Sequence, residues 1–216
     1  MAPTLRWPAF IIRLLLPALA LLVPALAQAD PPPEIGLRIG GRGLGEVWQD
    51  ASLIQVYRSS RFTGSGVVSY RVWCFLSADL EVGYERQGGV VVDSETLREG
   101  VNPTSFELIP ISAMAEASRR LGDLDVFAAV GCAITPYTET RPGDTVTGTK
   151  FGAAFQLGAR LDTKLAQPSW RSGDDARLQA VEFEVFVGRR QHQLFGVGSG
   201  LDLSAWRFGA GLLARF

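Results

Sequence analysis

The sequence has few of the residues that build metal centres, disulfide frameworks or nucleic-acid interfaces. Its 216 residues include one histidine, His192, and two cysteines, Cys74 and Cys132, and these lie too far apart in the chain to match a zinc-ligand spacing. Lysine occurs only at Lys150 and Lys164, and 21 Lys and Arg residues are balanced by 22 Asp and Glu residues. The sequence therefore predicts no metal, no cofactor and no nucleic-acid partner.

Long apolar runs are also absent beyond residue 30, so no transmembrane helix is expected there. The beginning of the chain is different. Two arginines precede a short apolar run at residues 14–23, and residues 27–29 have the Ala-Gln-Ala form of a cleavage site. We predict a cleaved secretory signal peptide at residues 1–29 and a mature domain at residues 30–216; an uncleaved membrane anchor is the alternative.

What the mature sequence does have is a two-residue alternation of apolar and polar side chains, the pattern of strands with one apolar face. In the segment 151–162 the odd positions are all Phe, Ala or Leu, and the even positions end with Arg160 and Asp162. The strands predicted in this way lie near residues 35–40, 68–73, 76–85, 106–118, 124–135, 151–162, 181–188 and 206–216. The fourth is less regular, and we expect its phase to slip in a bulge at Pro110, which lacks an N–H.

The connections between the predicted strands alternate in length. Long connections are predicted at 44–64, 88–104, 136–149 and 191–202, and tight turns at Phe75 and at residues 121–123. Long loops on one side and short turns on the other are typical of membrane barrels. The link from Thr163 to Arg177 is long and departs from this pattern. The predicted fold is all-β, an eight-stranded antiparallel up-and-down transmembrane β-barrel.

The face opposite the apolar one carries charges of both signs among small residues. The interior of an eight-stranded barrel is just wide enough for side chains, and a buried charge is tolerated best when it is paired. We therefore predict that the apolar face meets lipid and that the charged face forms an interior network. Its predicted members are Arg38, Arg71, Asp79, Glu81, Glu85, Asp125, Arg160, Glu182, Glu184 and Arg207. A soluble, lipocalin-like periplasmic carrier would have the reverse orientation and an apolar ligand cavity.

Several aromatic residues fall near predicted strand ends or in loops. They are Trp48, Tyr57, Trp73, Tyr137, Trp170 and Trp206. We expect them to form belts at the two membrane interfaces, with ordinary packing as the alternative. Cys74 and Cys132 lie in different predicted strands and are expected to act as small apolar residues, although an exported protein can also form a disulfide.

Four segments resemble strands of a known family, the PorT-like outer-membrane β-barrel domain. Residues 80–89 are similar to its E-x-x-Y-x-x-x-G strand, and residues 107–111 to the proline-containing strand that follows. Residues 126–137 resemble its GPY-type strand, with Cys132 in place of the usual proline, and residues 151–158 resemble its glycine-spaced sixth strand.

The resemblance covers about residues 34–216 and implies a small OmpA/OmpX-type barrel in the outer membrane of a Gram-negative bacterium. The final strand, with Trp206, Phe208 and Phe216, is similar to the sorting signal that the barrel-assembly machinery reads. The implied role is non-enzymatic: structural, adhesive or secretion-accessory. The implied partners are outer-membrane lipid, the barrel-assembly machinery and an envelope protein that contacts the long loops.

No catalytic site is identified in the sequence. A lipid-A-modifying hydrolase that uses His192 would need a hydroxyl and an acidic group within reach of the imidazole. Ser199, Asp202 and Ser204 follow His192, but their spacing is not diagnostic, and Leu194 stands where the deacylase pattern has serine. We expect His192 to be a solvated loop residue, and the hydrolase is kept as the alternative.

Overall fold

The computed structural model describes residues 36–57, 60–73, 75–91, 102–163, 180–192 and 202–216. The strands are β1 (Leu37–Trp48), β2 (Ser60–Trp73), β3 (Leu76–Val91), β4 (Asn102–Leu108), β5 (Ile111–Leu121), β6 (Leu124–Arg141), β7 (Asp144–Asp162), β8 (Ala180–Gln191) and β9 (Ala205–Arg215). A short helix, α1 (Ala51–Tyr57), lies between β1 and β2. In the part of the chain described, no helix is long and apolar enough to cross a membrane.

The strands form one antiparallel sheet that closes on itself. β4 and β5 are successive parts of one wall strand, because both pair with β3 on one side and with β6 on the other. β1 pairs with β9 from Arg38↔Arg215 to Trp48↔Ala205, and main-chain hydrogen bonds between Leu37 and Phe216 extend this seam. The predicted eight-stranded antiparallel up-and-down β-barrel is confirmed.

The connections lie at two ends of the barrel. The upper end carries the connections after β1, β3, β6 and β8, and the lower end carries those after β2, β5 and β7. Two lower turns are tight, as predicted, at Phe75 and at Gly122–Asp123. Gly122 has a φ of +67°, a backbone conformation that glycine adopts without the steric cost of a Cβ atom.

The long loop predicted at residues 136–149 is wrong. β6 and β7 stay paired as far as Arg141↔Asp144, and only Pro142 and Gly143 form the turn between them. This part of the hairpin is rich in threonine, which favours strands because of its branched Cβ. The sequence pattern does not reveal this part of the hairpin, because both of its faces are polar and no apolar alternation is present.

The phase slip and bulge predicted at Pro110 are also wrong. Ile109 and Pro110 interrupt the ladder, but the residues on either side keep one register with β3 and one with β6. Pro110 and Pro136 have no N–H to donate, whereas their carbonyls accept hydrogen bonds from Gly83 and Ile109. The ladder therefore lacks main-chain hydrogen bonds at Pro110, but no extra residue is inserted and the register does not shift. The apparent slip has another cause: the inward side chains above Pro110, Phe106 and Leu108, are apolar, whereas those below it include Ser112 and Glu116.

Side-chain direction follows the two-residue alternation around the wall. Large apolar side chains point outward and remain exposed, among them Ile39, Val185 and Leu212. Charged side chains point inward and are buried, as Arg160 and Glu184 illustrate. The barrel is thus apolar outside and ionic inside, the reverse of what the carrier alternative requires.

Candidate functional site

The upper part of the lumen is filled by apolar side chains. Leu53 and Tyr57 of α1 pack against Trp48 of β1 and Phe106 of β4. The Phe106 ring lies edge-on to Trp48, with centroids 5.6 Å apart, and tilted against Tyr57 at 5.2 Å. We call the buried set the upper cluster; it consists of Trp48, Leu53, Tyr57, Phe106, Leu108, Leu203 and Ala205. Its members are at most 3% exposed, so the upper cluster excludes water from this level.

One charge-assisted hydrogen bond joins the upper cluster to the hairpin of β6 and β7. The hydroxyl of Tyr57 donates to Oε1 of Glu139 at 2.7 Å, and Nη2 of Arg141 donates to the other oxygen at 2.8 Å. Burial of the Tyr57 ring raises the pKa of its phenol to about 12. The phenol therefore stays protonated at physiological pH and keeps donating to the carboxylate.

Below the upper cluster the lumen is ionic. Arg207 lies between two carboxylates, with its Nε atom 2.9 Å from Glu46 and its Nη2 atom bonded to Glu81. Arg42 repeats the arrangement one step lower: its guanidinium is 2.7 Å from Glu81 and 2.6 Å from Glu184. Each guanidinium is thus neutralised from two sides, which offsets much of the cost of removing it from water.

The same alternation of charge continues toward the lower end. Arg160 bridges Glu184, at 2.7 Å, and Glu116, and Arg38 lies 3.6 Å from Glu116 and 3.0 Å from Glu182. From top to bottom, the complete series, which we call the ion-pair chain, is Arg190, Glu46, Arg207, Glu81, Arg42, Glu184, Arg160, Glu116, Arg38, Glu182, Arg215 and Asp162. No internal member can be removed without leaving a buried charge short of a partner.

Aromatic rings support two of these guanidinium groups. The guanidinium carbon of Arg160 lies 4.0 Å from the centroid of Phe127, and that of Arg42 lies 5.0 Å from Phe186. Stacking on a ring face suits the planar, weakly hydrated guanidinium. The Phe127 ring occupies the space above Gly158, where an added Cβ atom would be 2.5 Å from it. A glycine is therefore required for this close approach.

The structure places every predicted network residue on the inward side of the wall. Six belong to the ion-pair chain: Arg38, Glu81, Arg160, Glu182, Glu184 and Arg207. Asp125 joins it through Arg38 at 3.4 Å, and Glu85 lies 3.8 Å from Arg190. Arg71 and Asp79 make no ion pair within 4.0 Å among the residues that the structure describes.

Six members of the ion-pair chain were not among the predicted network residues. Arg215 and Asp162 lie on the inward face of predicted strands, whereas the inward direction of four others was not predicted: Arg42, Glu46, Glu116 and Arg190. The first strand was predicted to end before Arg42, because several glycines follow, although the inward positions continue at every second residue. Glu116 lies in the strand whose phase was expected to slip, and Arg190 lies beyond the predicted end of its strand. Longer strands in phase with Arg38 and Glu184 would have included three of the four.

The lower end of the lumen opens into a polar cavity. Its lining includes Arg71, Ser118, Asp125, Arg160 and Arg215. Positive and negative groups are mixed along its walls, so the cavity presents no field of one sign. The cavity reaches Arg160 and therefore gives solvent an approach to the lower half of the ion-pair chain.

His192 is buried, 6% exposed, and not the solvated loop residue that the sequence predicted. It continues the inward phase of β8, which turns its ring into the lumen. Its Nε2 atom lies 3.2 Å from the hydroxyl of Thr135. Ser204 accepts a hydrogen bond from the main chain of His192 at 2.9 Å, and Asp202 accepts one from the main chain of Ser204. Among the described residues, no carboxylate meets the imidazole, so the geometry assembles no triad.

The predicted aromatic belt divides by side-chain direction. Trp73 and Trp206 are exposed on the outer wall, where a belt residue would lie. Trp48 and Tyr57 instead belong to the upper cluster, and Tyr137 packs against it. The belt prediction is wrong for these three because each occupies an inward position, and proximity to a strand end does not reveal direction.

The three aromatic residues of the predicted assembly signal share one side of β9. Trp206, Phe208 and Phe216 all point outward and are exposed. Phe216 also donates its main-chain N–H to Leu37 at 2.8 Å, across the seam that closes the barrel. Their recognition by the assembly machinery stays a prediction.

Several predictions concern residues outside the described ranges. They include the signal peptide at residues 1–29, Cys74, Trp170, Ser199 and the link that follows Thr163. Cys132 is a free, exposed thiol whose sulfur lies 3.8 Å from the Ala113 carbonyl oxygen. Its pairing with Cys74 stays untested.

No family model matches this sequence, and no curated protein is significantly similar to it. Solved structures do match. The outer membrane protein OprG from Pseudomonas aeruginosa is 12% identical, with a TM-score of 0.56 over 84% of this chain and 96% of that one. The two chains share the fold of a closed antiparallel β-barrel. Neisserial surface protein A is 13% identical, with a TM-score of 0.49 over 87% of this chain and 100% of that one. The PorT-like resemblance stays a prediction.

Proposed function

We propose that this chain is a non-enzymatic β-barrel of the bacterial outer membrane, with a structural or adhesive role. The observation that carries the proposal is the orientation of the wall. Each square ångström of apolar surface left in water costs about 25 cal/mol, whereas the same surface in contact with acyl chains has no such cost. An apolar outside around an ionic lumen is the arrangement that a bilayer favours.

The filled lumen favours a structural role over transport or catalysis. The upper cluster closes it at one level and the ion-pair chain crosses the levels below, and a barrel of this strand number has no room for a wide pore. A carrier would need an apolar cavity, and the lumen is occupied by ion pairs instead. The hydrolase alternative has no support from the surroundings of His192.

The upper end offers the best surface for a partner. The hairpin of β6 and β7 extends beyond β8, because the ladder between β7 and β8 stops at Ala153, whereas β4 lines β6 as far as Thr140. In the described part of the chain, residues 144–152 of β7 have no strand beside them on the β8 side. Unpaired strand edges bind other extended segments, so we expect an envelope protein to contact this hairpin. Outer-membrane lipid and the barrel-assembly machinery are the other partners that we expect.

Two matched substitutions test the membrane orientation. Val185 lies halfway along β8 on the outer wall and is 45% exposed, and Val146 on the projecting hairpin is 39% exposed. We expect Val185→Arg to destabilise the folded barrel by about 2–4 kcal/mol, the cost of arginine at the bilayer midplane, and to reduce the heat-modifiable form in the outer-membrane fraction. Val146→Arg should behave like the original protein.

A water-soluble barrel gives a different result. There, both valines face water, so both arginine variants would fold equally well and remain dissolved without detergent. The proposal would be overturned if both variants gave equal yields of folded protein and if that protein stayed in the supernatant after the membranes had been sedimented.

A further inference from the structure

The sheet that extends beyond β8 consists of parts of β3, β4, β6 and β7, and its two edges differ. At one edge, Gly89 of β3 lies against α1, since a Cβ atom added there would be 2.6 Å from the Tyr57 ring and from the Val56 carbonyl oxygen. At the other edge, in the described part of the chain, residues 144–150 of β7 have no strand beside them on the β8 side. We call these residues the β7 edge; an edge of this kind accepts another strand.

Every second residue of β7 directs its main-chain groups toward the β8 side. The N–H of Thr163 donates to Val181 of β8, whereas that of Asp162 donates to Asp123 on the β6 side. The registers of β7 with β6 and with β8 are unbroken, so the odd-numbered residues direct their N–H and C=O groups to the β8 side along the whole strand. On the β7 edge these residues are Thr145, Thr147 and Thr149.

The β7 edge has one charge of each sign, six residues apart at its two ends: Asp144 and Lys150. Asp144 lies opposite Arg141 in its own hairpin and is attracted by it, but the guanidinium of Arg141 binds Glu139 at 2.8 Å. Lys150 lies opposite the uncharged Thr135. Among the residues that the structure describes, neither end of the β7 edge forms an ion pair within 4.0 Å.

We propose that the β7 edge pairs, in antiparallel orientation, with the β7 edge of a second copy of this chain. The register that brings Asp144 opposite Lys150 of the second copy forms this ion pair twice, because the arrangement has two-fold symmetry. The same register pairs the three threonines with one another through their main-chain groups. The two ion pairs then occupy non-hydrogen-bonded positions, where side chains are closer. Cross-strand pairs of opposite charges and of threonines both stabilise a sheet.

Other registers lack this match. A lysine on an edge strand ordinarily discourages pairing, and it does so here if the two copies shift by two residues in either direction. Lys150 then lies opposite Val146 or Pro142, and Asp144 lies opposite a glycine. Charge therefore selects one register among those that the main-chain hydrogen bonds allow.

The direction of β7 decides where the second copy lies. β7 runs from the upper end to the lower end, and strands of such barrels tilt by about 35–45° from the barrel axis. Two copies with the same orientation in one membrane therefore have β7 strands that cross at no more than about 90°, so these strands cannot run antiparallel. Copies in facing membranes are inverted relative to one another and can pair. Short turns lie on the periplasmic side, so adhesion between copies on facing cells follows from the outer-membrane role proposed above.

The test uses the full-length mature chain, folded into preformed phosphatidylcholine vesicles that carry one of two dyes. Insertion from outside moves the short lower turns across the bilayer and leaves the hairpin outside, because polar main chain crosses hydrocarbon at a high cost. Flow cytometry counts clusters that contain both dyes in about 0.15 M salt, which screens charges beyond about 8 Å. We expect the original chain to cluster the vesicles, since many weak contacts between two surfaces act together.

Two charge reversals test the register. Asp144→Lys places lysine against lysine, and Lys150→Asp places carboxylate against carboxylate, so neither variant should cluster with itself. A mixture of the two variants should cluster again, because every reversed charge then meets its opposite. Clustering of either variant with itself, or a mixture that stays dispersed, would overturn the pairing.

A second substitution tests the main-chain contact without a change of charge. Thr147→Pro removes the N–H at the centre of the pairing and leaves the ladder with β6 intact, because this N–H points away from β6. It should abolish clustering, whereas the matched control Thr147→Ala should retain it. Clustering that survives in Thr147→Pro would mean that the vesicles attract one another without strand pairing, and it would disprove the proposal.

Flotation of the vesicles separates this proposal from the membrane role on which it rests. A chain that does not float with the vesicles contradicts the membrane role itself. A chain that floats with them but forms no clusters leaves the membrane role in place. That result would mean that the β7 edge binds another envelope protein or no strand at all, and it would overturn the pairing of two copies.

Discussion

The upper cluster and the ion-pair chain fill the same lumen by opposite means. The upper cluster recruits α1 and stabilises itself by burying rings and aliphatic side chains, an interaction without strong direction. The ion-pair chain lies between small inward residues, such as Ala129 and Ala154, which leave room for long Arg and Glu side chains. The comparison shows that one inward face of a barrel can change its chemistry with height while its two-residue alternation continues.

Substitutions in the two regions should reduce the stability of the barrel for different reasons. Truncating a side chain in the upper cluster leaves a cavity, and the surrounding groups relax into part of it. Removing a charge from the ion-pair chain leaves its two neighbours buried and unmatched, and no relaxation of apolar groups restores the balance.

Arg160→Met should produce the largest loss of stability. Its guanidinium is shared by Glu116 and Glu184, and all three side chains are at most 1% exposed. Removing one partner of a buried ion pair costs about 3–5 kcal/mol, which urea unfolding in lipid vesicles would measure. Arg86→Met is the control, because its 3.2 Å pair with Glu107 is exposed and worth about 0–1 kcal/mol. Similar losses for the two variants would remove the distinction between lumen and surface pairs.

Phe106→Ala should cost somewhat less, about 3 kcal/mol, as expected for a buried phenylalanine. Phe106 contacts Trp48, Tyr57 and Tyr137 through its ring, so its loss opens the centre of the upper cluster. The same urea titration applies, and proteolysis of the region around α1 in the folded barrel would report loosening of the helix. A loss of stability below about 1 kcal/mol would mean that the side chains of the upper cluster are loosely packed.

Tyr57→Phe should have the smallest effect, about 1.5 kcal/mol, because it removes one hydrogen bond to a charged group while Arg141 still binds Glu139. The effect should depend on pH in one direction. The pKa of Tyr57 rises from its ordinary value of 10.0 to about 12, so the protonated phenol favours the folded state. Its contribution is complete below pH 10 and is lost as the pH rises through 12.

The difference between the original chain and Tyr57→Phe, measured by unfolding across that pH range, should therefore shrink at the alkaline end. A constant difference would show that the hydroxyl contributes by packing alone.

Much of the wall could be read from the sequence. The alternation from Phe151 to Asp162 predicts a strand and both of its faces, because successive side chains of a strand point to opposite sides. The same rule places Arg38, Glu81 and Glu184 together on one face. It fails at Pro110, where the outward and inward compositions exchange, and above the wall at Asp144, where both faces are polar.

Most of the strands, the tight lower turns and the apolar or charged character of each wall face follow from local geometry repeated every two residues, so they are predictable from the sequence. The pairing of each carboxylate with its guanidinium, the inward direction of Trp48 and Tyr57, and the position of Asp79 outside the ion-pair chain emerge only in the folded barrel. Those outcomes depend on how strands distant in the chain are staggered around a closed barrel, and no local pattern records that stagger.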